Sequence, residues 1–312
     1  MCAQSRKVAR HLPAAQATYL LTNLVSASAI VFANKTVLSV LNFDLPVTLT
    51  CIHTIATLLV SRVLCAISVI PRKPLPTRAK IALAGTFTGY IVLCNLSLAL
   101  NTVGFYQLSK IAVAPTVLLI EAVARRQAPE PKISICLIVV CLGIALATLF
   151  DTQIVTGLPG LLVGILSVIV SALYGVWIGS MTKAYDVTAM QLLEQYLPCA
   201  SMMMIMCVPL ESIVSGLSSP RGVTLLSFPW TARTVIVVGV SAVLGVMVTF
   251  STFVVIGHTS PLTYAVAGHV KTIVIIGGGV FIFGDHVAPV NLLGIFVAVL
   301  GIVAYTAVRL GR

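Results

Sequence analysis

Long apolar runs, each bounded by a short polar or basic segment, recur along the chain from residue 17 to residue 308. Crossing about 30 Å of hydrocarbon at a rise of about 1.5 Å per residue takes roughly 20 residues of helix. The pattern predicts ten such spans, at 17–42, 45–70, 79–100, 101–124, 132–150, 157–182, 190–215, 232–257, 262–284 and 289–308. None alternates with period two and all are too long for barrel strands, so the predicted class is an all-α, polytopic membrane protein. The runs divide the chain into an N-terminal segment (1–16), a first five-helix unit (17–150), a second five-helix unit (151–309) and a C-terminal tail (310–312).

The two units carry a weak internal repeat. Tyr106 and Tyr264, Pro131 and Pro289, and Gly143 and Gly301 each lie 158 positions apart. A unit with an odd number of spans sets its successor upside down. The expected architecture is therefore a five-plus-five inverted repeat, the design of carriers that bind substrate near the bilayer midplane.

Composition narrows the class further: of 312 residues, 59% are hydrophobic and only 9% charged, which excludes an ordinary soluble domain. A net charge of +11 would suit a nucleic-acid binder, but the cations follow the topology instead. Arg6, Lys7, Arg10, Arg72, Lys73, Arg78, Lys80, Arg125, Arg126, Lys132, Lys183, Arg309 and Arg312 fall on one side of the predicted spans, against Arg221 and Arg233 on the other. The positive-inside rule places both termini in the cytosol, with the lipid bilayer rather than nucleic acid as partner. The basic, polar N-terminal dozen residues and the long first run give no cleavable signal. All cysteines but Cys2 lie within predicted spans, without zinc-ligand spacing to histidine, and read as packing residues; no metal or cofactor is expected. Gly85-xxx-Gly89 and Gly175-xxx-Gly179 suit close helix packing within one subunit or between two, which leaves a homodimer open.

Four cations fall inside spans: Lys35, Arg62, Lys110 and Lys271. An ammonium at bilayer depth costs roughly 3 kcal/mol on insertion scales, so its first reading is functional. Lys110 and Lys271 each lie about nine residues, or roughly 14 Å, into their spans, entering from opposite sides to meet near the midplane. Tyr106, Gln107 and Lys110 share one helical face, with Pro115 following. Tyr264, Gly268, Lys271 and Thr272 form a stripe of about 100°, with His269 off it.

Other spans offer polar stripes to complete a cavity: Asn34 and Lys35; His53 with Thr50, Thr54 and Thr57; Asn95; Ser167, Ser171 and Tyr174; Gln191, Glu194 and Gln195. For the serines and threonines, bonding to a helical carbonyl is the plainer reading. Arg62 is expected to snorkel to the interface, and Glu121 to do likewise or pair with a nearby base. Four cations against Glu121 and Glu194 leave the interior positive, so the substrate is expected to be an anion. Ammonium groups without an Asp/Glu/His relay favour phosphate over a proton or sodium path; permanent Lys–Glu bridges are the competing reading. An enzyme would need clustered carboxylates for Mg²⁺ or a histidine nucleophile, and the sequence shows neither.

The strings Gly-Phe-Tyr-Gln-Leu-Ser-Lys110, Ser-Pro261-Leu-Thr-Tyr264 and Gly-His-Val-Lys271-Thr272 closely resemble the nucleotide-sugar transporter and triose-phosphate translocator family of the drug/metabolite transporter superfamily. Asn34-Lys35, Pro46 to His53, Asn95-Leu-Ser-Leu and Gln191-Leu-Leu extend the likeness over nearly the whole chain. The resemblance implies ten helices, counter-exchange through one central site, and phosphate contact by Lys110 and Lys271. Triose-phosphate translocators carry Lys-Arg where this chain has Lys271-Thr272, and the Lys-Thr form is similar to carriers of UDP-sugars of the galactose, xylose or uronic acid type. The Phe-Tyr-Asn-Asn motif of GDP-mannose carriers is absent. The expected function is a UDP-sugar antiporter of the Golgi, or alternatively of the ER or another endomembrane, returning UMP. Lys110, Lys271, Thr272, Tyr106 and Tyr264 are its expected substrate contacts, and Asn34, Lys35, Gln191 and Gln195 stand behind them. A sugar-phosphate translocator (triose phosphate or phosphoenolpyruvate) and a GDP-sugar carrier are the alternatives.

Overall fold

The computed structural model describes residues 2–43, 45–101, 103–149, 157–218, 225, 227–271 and 289–310; the side chains of 2–16, 35, 39, 99, 103–108, 147–149, 210, 212–218, 291, 309 and 310 lie outside that description. The described backbone is helical: α1 (Cys2–Lys35) running into a π-helical turn (Thr36–Val40), α2 (Pro46–Ala66), α3 (Thr77–Leu100), α4 (Val103–Arg125), α5 (Pro131–Leu149), α6 (Leu158–Ala184), α7 (Ala189–Ser218), α8 (Ala232–His258), α9 (261–271) and α10 (Pro289–Leu310). Among the described residues, six helical stretches are long and apolar enough to cross a membrane: Ala17–Leu38, Pro46–Ala66, Thr77–Leu98, Leu158–Ala184, Ala189–Pro209 and Ala232–His258. The predicted span 262–284 is described only as far as residue 271.

The helix starts follow local chemistry. Proline opens α2 and α6, where a missing N–H does no harm. Thr231 caps α8 by accepting from the Thr234 N–H. The predicted span 45–70 runs past the end of α2 because the backbone turns left-handed at Ser68, φ 62°. There Ser68 N–H bonds Cys65 O while Val69 N–H bonds Leu64 O, a Schellman closure. Arg126 after α4 and Asp186 after α6 close their helices the same way, so three helices stop alike without glycine.

Outward faces are aliphatic, with Val63, Leu142, Ile165, Ile236 and Leu293 exposed, as a hydrocarbon solvent demands. Inside, α1 packs on α8, α3 on α6 and α7, α2 on α7 and α8, and α5 on α10. The main core joins Leu83, Ile178, Leu193, Tyr196 and Phe253 from α3, α6, α7 and α8. The α5–α10 contact brings backbone to backbone. A Cβ on Gly143 would lie 2.3 Å from Ala298 N, and one on Gly301 would lie 2.8 Å from Val140 N. The contact is reciprocal, for Val140 and Ala298 are also 158 positions apart.

Glu211 adds a third in-span carboxylate to Glu121 and Glu194, and it is buried, at 3% exposure. From α7 it accepts from the Val47 and Thr48 N–H groups and the Thr48 hydroxyl, capping α2 where Leu45 offers no side-chain cap. A carboxylate on the positive end of a helix is the favourable arrangement. It sits at the opposite end of the α2–α7 pair from Glu194.

Replacing either close-packed glycine by valine is expected to destabilise the fold by about 1–3 kcal/mol, because the obstructing atoms are backbone. Gly239→Ala, where a Cβ meets nothing within 4 Å, is expected to be neutral in that respect. Thermal unfolding of the detergent-solubilised variants measures both.

Candidate functional site

Lys110 from α4 and Lys271 from α9 line a single cavity of about 500 Å³, walled by α1, α3, α4, α6, α8 and α9. Each ammonium rests on an aromatic face: Lys110 Nζ lies 5.2 Å from the centre of the Tyr90 ring and Lys271 Nζ 4.7 Å from that of Tyr264. Such contacts gain strength where water is excluded. Lys110 Nζ also donates to Cys94 Sγ at 3.1 Å.

Tyrosines form much of the remaining polar wall. Tyr90 stacks on Tyr174 at 5.9 Å with an interplanar angle of 13°, and the Tyr174 and Tyr196 hydroxyls are bonded at 2.9 Å. Tyr90, Tyr174 and Tyr264 line the cavity with Ser171 and Thr252, while Val113, Val117, Ile178 and Ile256 supply its apolar surface. Apolar walls with a few converging polar groups are the usual form of a small-molecule site.

The side chains of Tyr106 and Lys35, and the whole of Thr272, lie outside the described residues. Asn34 is not among the lining residues; its Oδ1 accepts from Ser241 at 2.6 Å, and Ser241 Oγ is 3.0 Å from His53 Nε2. His269, set aside by the helical-stripe argument, is buried and does line the cavity with Gly268. The cavity wraps around more of α9 than the stripe allowed. Thr50, Thr54, Thr57, Ser167 and Ser171 all bond carbonyls of their own helices, which accounts for the threonine stripe of α2 without a ligand, whereas Ser171 and Tyr174 of the α6 stripe do line the cavity.

The Gln191, Glu194 and Gln195 face of α7 does not reach the cavity. Glu194, 1% exposed, accepts from Arg62 at 2.7 Å, lies 3.7 Å from Arg72 Nε, and accepts from Gln195 at 2.6 Å. Gln191 donates to Pro71 O at 2.9 Å and accepts from the Thr188 N–H at 2.8 Å, while its own N–H bonds the Thr188 hydroxyl. Thr188-x-x-Gln191 is thus a capping box for α7, legible in the sequence and overlooked there. Lys73 and Asp186 pair beside it at 3.2 Å. Arg62 is therefore an ion-pair partner rather than a snorkelling side chain, and Glu121 pairs with Arg125 at 3.6 Å. These two carboxylates go to arginines, not to Lys110 or Lys271. Tyr90 and Thr252 were missed; the spacing of Phe87, Tyr90 and Cys94 on one face of α3 was the available signal for the first.

A cationic, tyrosine-walled cavity inside a helical bundle with an aliphatic exterior defines an integral membrane carrier. The chain belongs to the Triose-phosphate Transporter family, which residues 15–306 match, and is a transporter rather than an enzyme. Its relatives include UDP-xylose transporter 2 of Arabidopsis thaliana, 34% identical over 91% of this chain and 78% of that one. UDP-xylose transporter 3 of the same plant is also 34% identical with the same coverage, and UDP-rhamnose/UDP-galactose transporter 1 is 28% identical over 91% of this chain and 80% of its own. A solved crystal structure superposes with a TM-score of 0.70 over 96% of this chain and 99% of the other, at 14% identity, which shows a shared fold.

Removing Arg62 leaves the buried Glu194 carboxylate with only the Gln195 amide and the more distant Arg72, whereas removing Arg72 leaves the short Arg62 pair in place. Arg62→Ala is expected to lose about 3 kcal/mol, the low end for breaking a buried pair because the Arg62 side chain is 44% exposed. Arg72→Ala is expected to lose under about 1 kcal/mol. Denaturation in detergent would rank the two.

Proposed function

We propose that the chain is a nucleotide-sugar antiporter, exchanging a cytosolic UDP-sugar for lumenal UMP across a Golgi or related endomembrane. The observation that carries this reading is that Lys110 and Lys271, far apart in sequence, line one cavity. Ammonium groups suit a diphosphate, and tyrosine faces suit a base or sugar ring. The names of the relatives support UDP-sugars, of the xylose, galactose or uronic acid type. Lys110 and Lys271 contact phosphate; Tyr264, Tyr106 and Thr272 position it. Asn34 and Lys35 stand behind them, and Gln191 and Gln195 act at the cytosolic entrance rather than on the substrate.

Transport proceeds by alternating access of two inverted five-helix repeats, 17–150 and 151–309, that complete ten spans with both termini cytosolic. Helix packing supports this symmetry. Exchanging each helix for the one five places on turns α1–α8 into α6–α3, α3–α7 into α8–α2, and α2–α3 into α7–α8; α2–α7 and α5–α10 map onto themselves. The reciprocal Gly143–Ala298 and Gly301–Val140 contacts are those that a pseudo-twofold axis between α5 and α10 would produce. On this scheme the Arg62–Glu194 and Lys73–Asp186 pairs join one repeat to the other and part when the cytosolic side opens.

Counterflow into proteoliposomes preloaded with UMP is expected to select UDP-sugars from a panel of nucleotide sugars. Exchange of triose phosphate or phosphoenolpyruvate with no nucleotide sugar would instead favour the sugar-phosphate reading that the family's name suggests. Lys110→Ala and Lys271→Ala are each expected to abolish uptake while assembly persists. Normal uptake by either variant would remove it from the phosphate site.

A further inference from the structure

Asn23 lies on α1 at 1% exposure, an amide buried at membrane depth and outside the cavity. Its Nδ2 is 2.8 Å from Ser251 Oγ and 3.1 Å from Thr252 Oγ1, both on α8. Ser251 Oγ lies 3.4 Å from Ser26 Oγ and donates to Val248 O at 3.0 Å, the shorter of the two contacts, which leaves its oxygen to accept from Asn23 Nδ2. Asn23 Oδ1 is buried and has no hydrogen-bond partner among the described residues.

The direction then propagates. Thr252 accepts from Asn23 and donates to the Tyr264 hydroxyl at 3.3 Å. The Tyr264 oxygen is thereby an acceptor from Thr252, and its proton must go elsewhere. The Lys271 ammonium beside the ring has donors only and cannot take it. The remaining direction is the cavity, which Thr252 and Tyr264 both line.

We propose that Asn23 and Thr252 are positioning residues: acting through a one-way relay from α1 through α8 to α9, they fix the Tyr264 hydroxyl as a donor to a substrate phosphate oxygen. The relay deepens the proposed function and rests on its assignment of Tyr264 to an anion site. An oriented O–H beside an ammonium recognises an oxyanion without adding a further positive charge to those of Lys110 and Lys271. Interhelical glue between α1 and α8 would need only the Asn23–Ser251 bond; the extension to Tyr264 is what a substrate role adds.

The test is exchange by the full chain in proteoliposomes, with a panel of UMP, UDP-sugars and triose phosphate, reading KM and maximal rate separately. Thr252→Val keeps the shape and removes the hydroxyl; KM is expected to rise about tenfold with the melting temperature little changed, the loss of one hydrogen bond to a charged group. Thr252→Ser is expected to restore KM to within about twofold. Asn23→Leu is expected to raise KM like Thr252→Val, and neither change should add to Tyr264→Phe when combined with it, because all three interrupt one line. A wild-type KM in Thr252→Val, no rescue by serine, or effects that multiply in the Tyr264→Phe background overturns the relay. If the wild type exchanges triose phosphate and no nucleotide, the substrate reading fails while the relay is scored on triose phosphate. A wild type that exchanges nothing in the panel overturns both.

Discussion

Two ammonium groups held at a depth from which hydrocarbon would expel them set the terms for the rest of the structure. Lys110 and Lys271 meet that constraint with polarisable and dipolar neighbours: Tyr90 and Cys94 for the first, Tyr264 for the second. The in-span carboxylates are committed elsewhere. Glu194 serves Arg62 and Arg72, Glu121 serves Arg125, and Glu211 caps α2. The cavity keeps its positive character because those acids sit toward helix ends. A buried Lys–Glu bridge would have neutralised the site that the lysines create.

That electrostatic arrangement needs a scaffold able to bring α4 and α9 to one place. The contact between α5 and α10 is backbone on backbone, with Gly143 and Gly301 each excluding a side chain on behalf of the other helix. The α2–α7 pair is tied at both ends, by Glu211 on the first turn of α2 and by Arg62 on Glu194. On the proposed transport cycle the glycine contact is the natural pivot. The charged ties at the α2–α3 and α6–α7 connections are the contacts that change. The line of bonds from Asn23 through Thr252 to Tyr264 crosses from α1 through α8 to α9, so on the proposed scheme the orientation of the Tyr264 hydroxyl depends on how those helices are docked.

Most helix positions were legible because hydrocarbon accepts few backbone solutions: apolar runs of span length become helices wherever they fall. The convergence of Lys110 and Lys271 was legible too, since each is an ammonium set deep within an apolar run. Polar stripes were misleading where local bonding satisfies them. Gln191 completes a capping box and Thr54 back-bonds, and neither use leaves a mark that separates it from a ligand contact. Residues such as Tyr90 and Asn23 escaped notice because an uncharged side chain becomes functional only through neighbours contributed by other helices. Spacing along one helix cannot reveal that Tyr90 lies beneath Lys110, or that Thr252 lies between Asn23 and Tyr264.

The central claim is that one phosphate-bearing ligand draws on both lysines. A structure of the chain with UMP bound tests it most directly. Phosphate oxygens are expected within about 3 Å of both the Lys110 and Lys271 ammonium groups. A phosphate bound away from either lysine, with that ammonium still seated on its tyrosine ring, would contradict it.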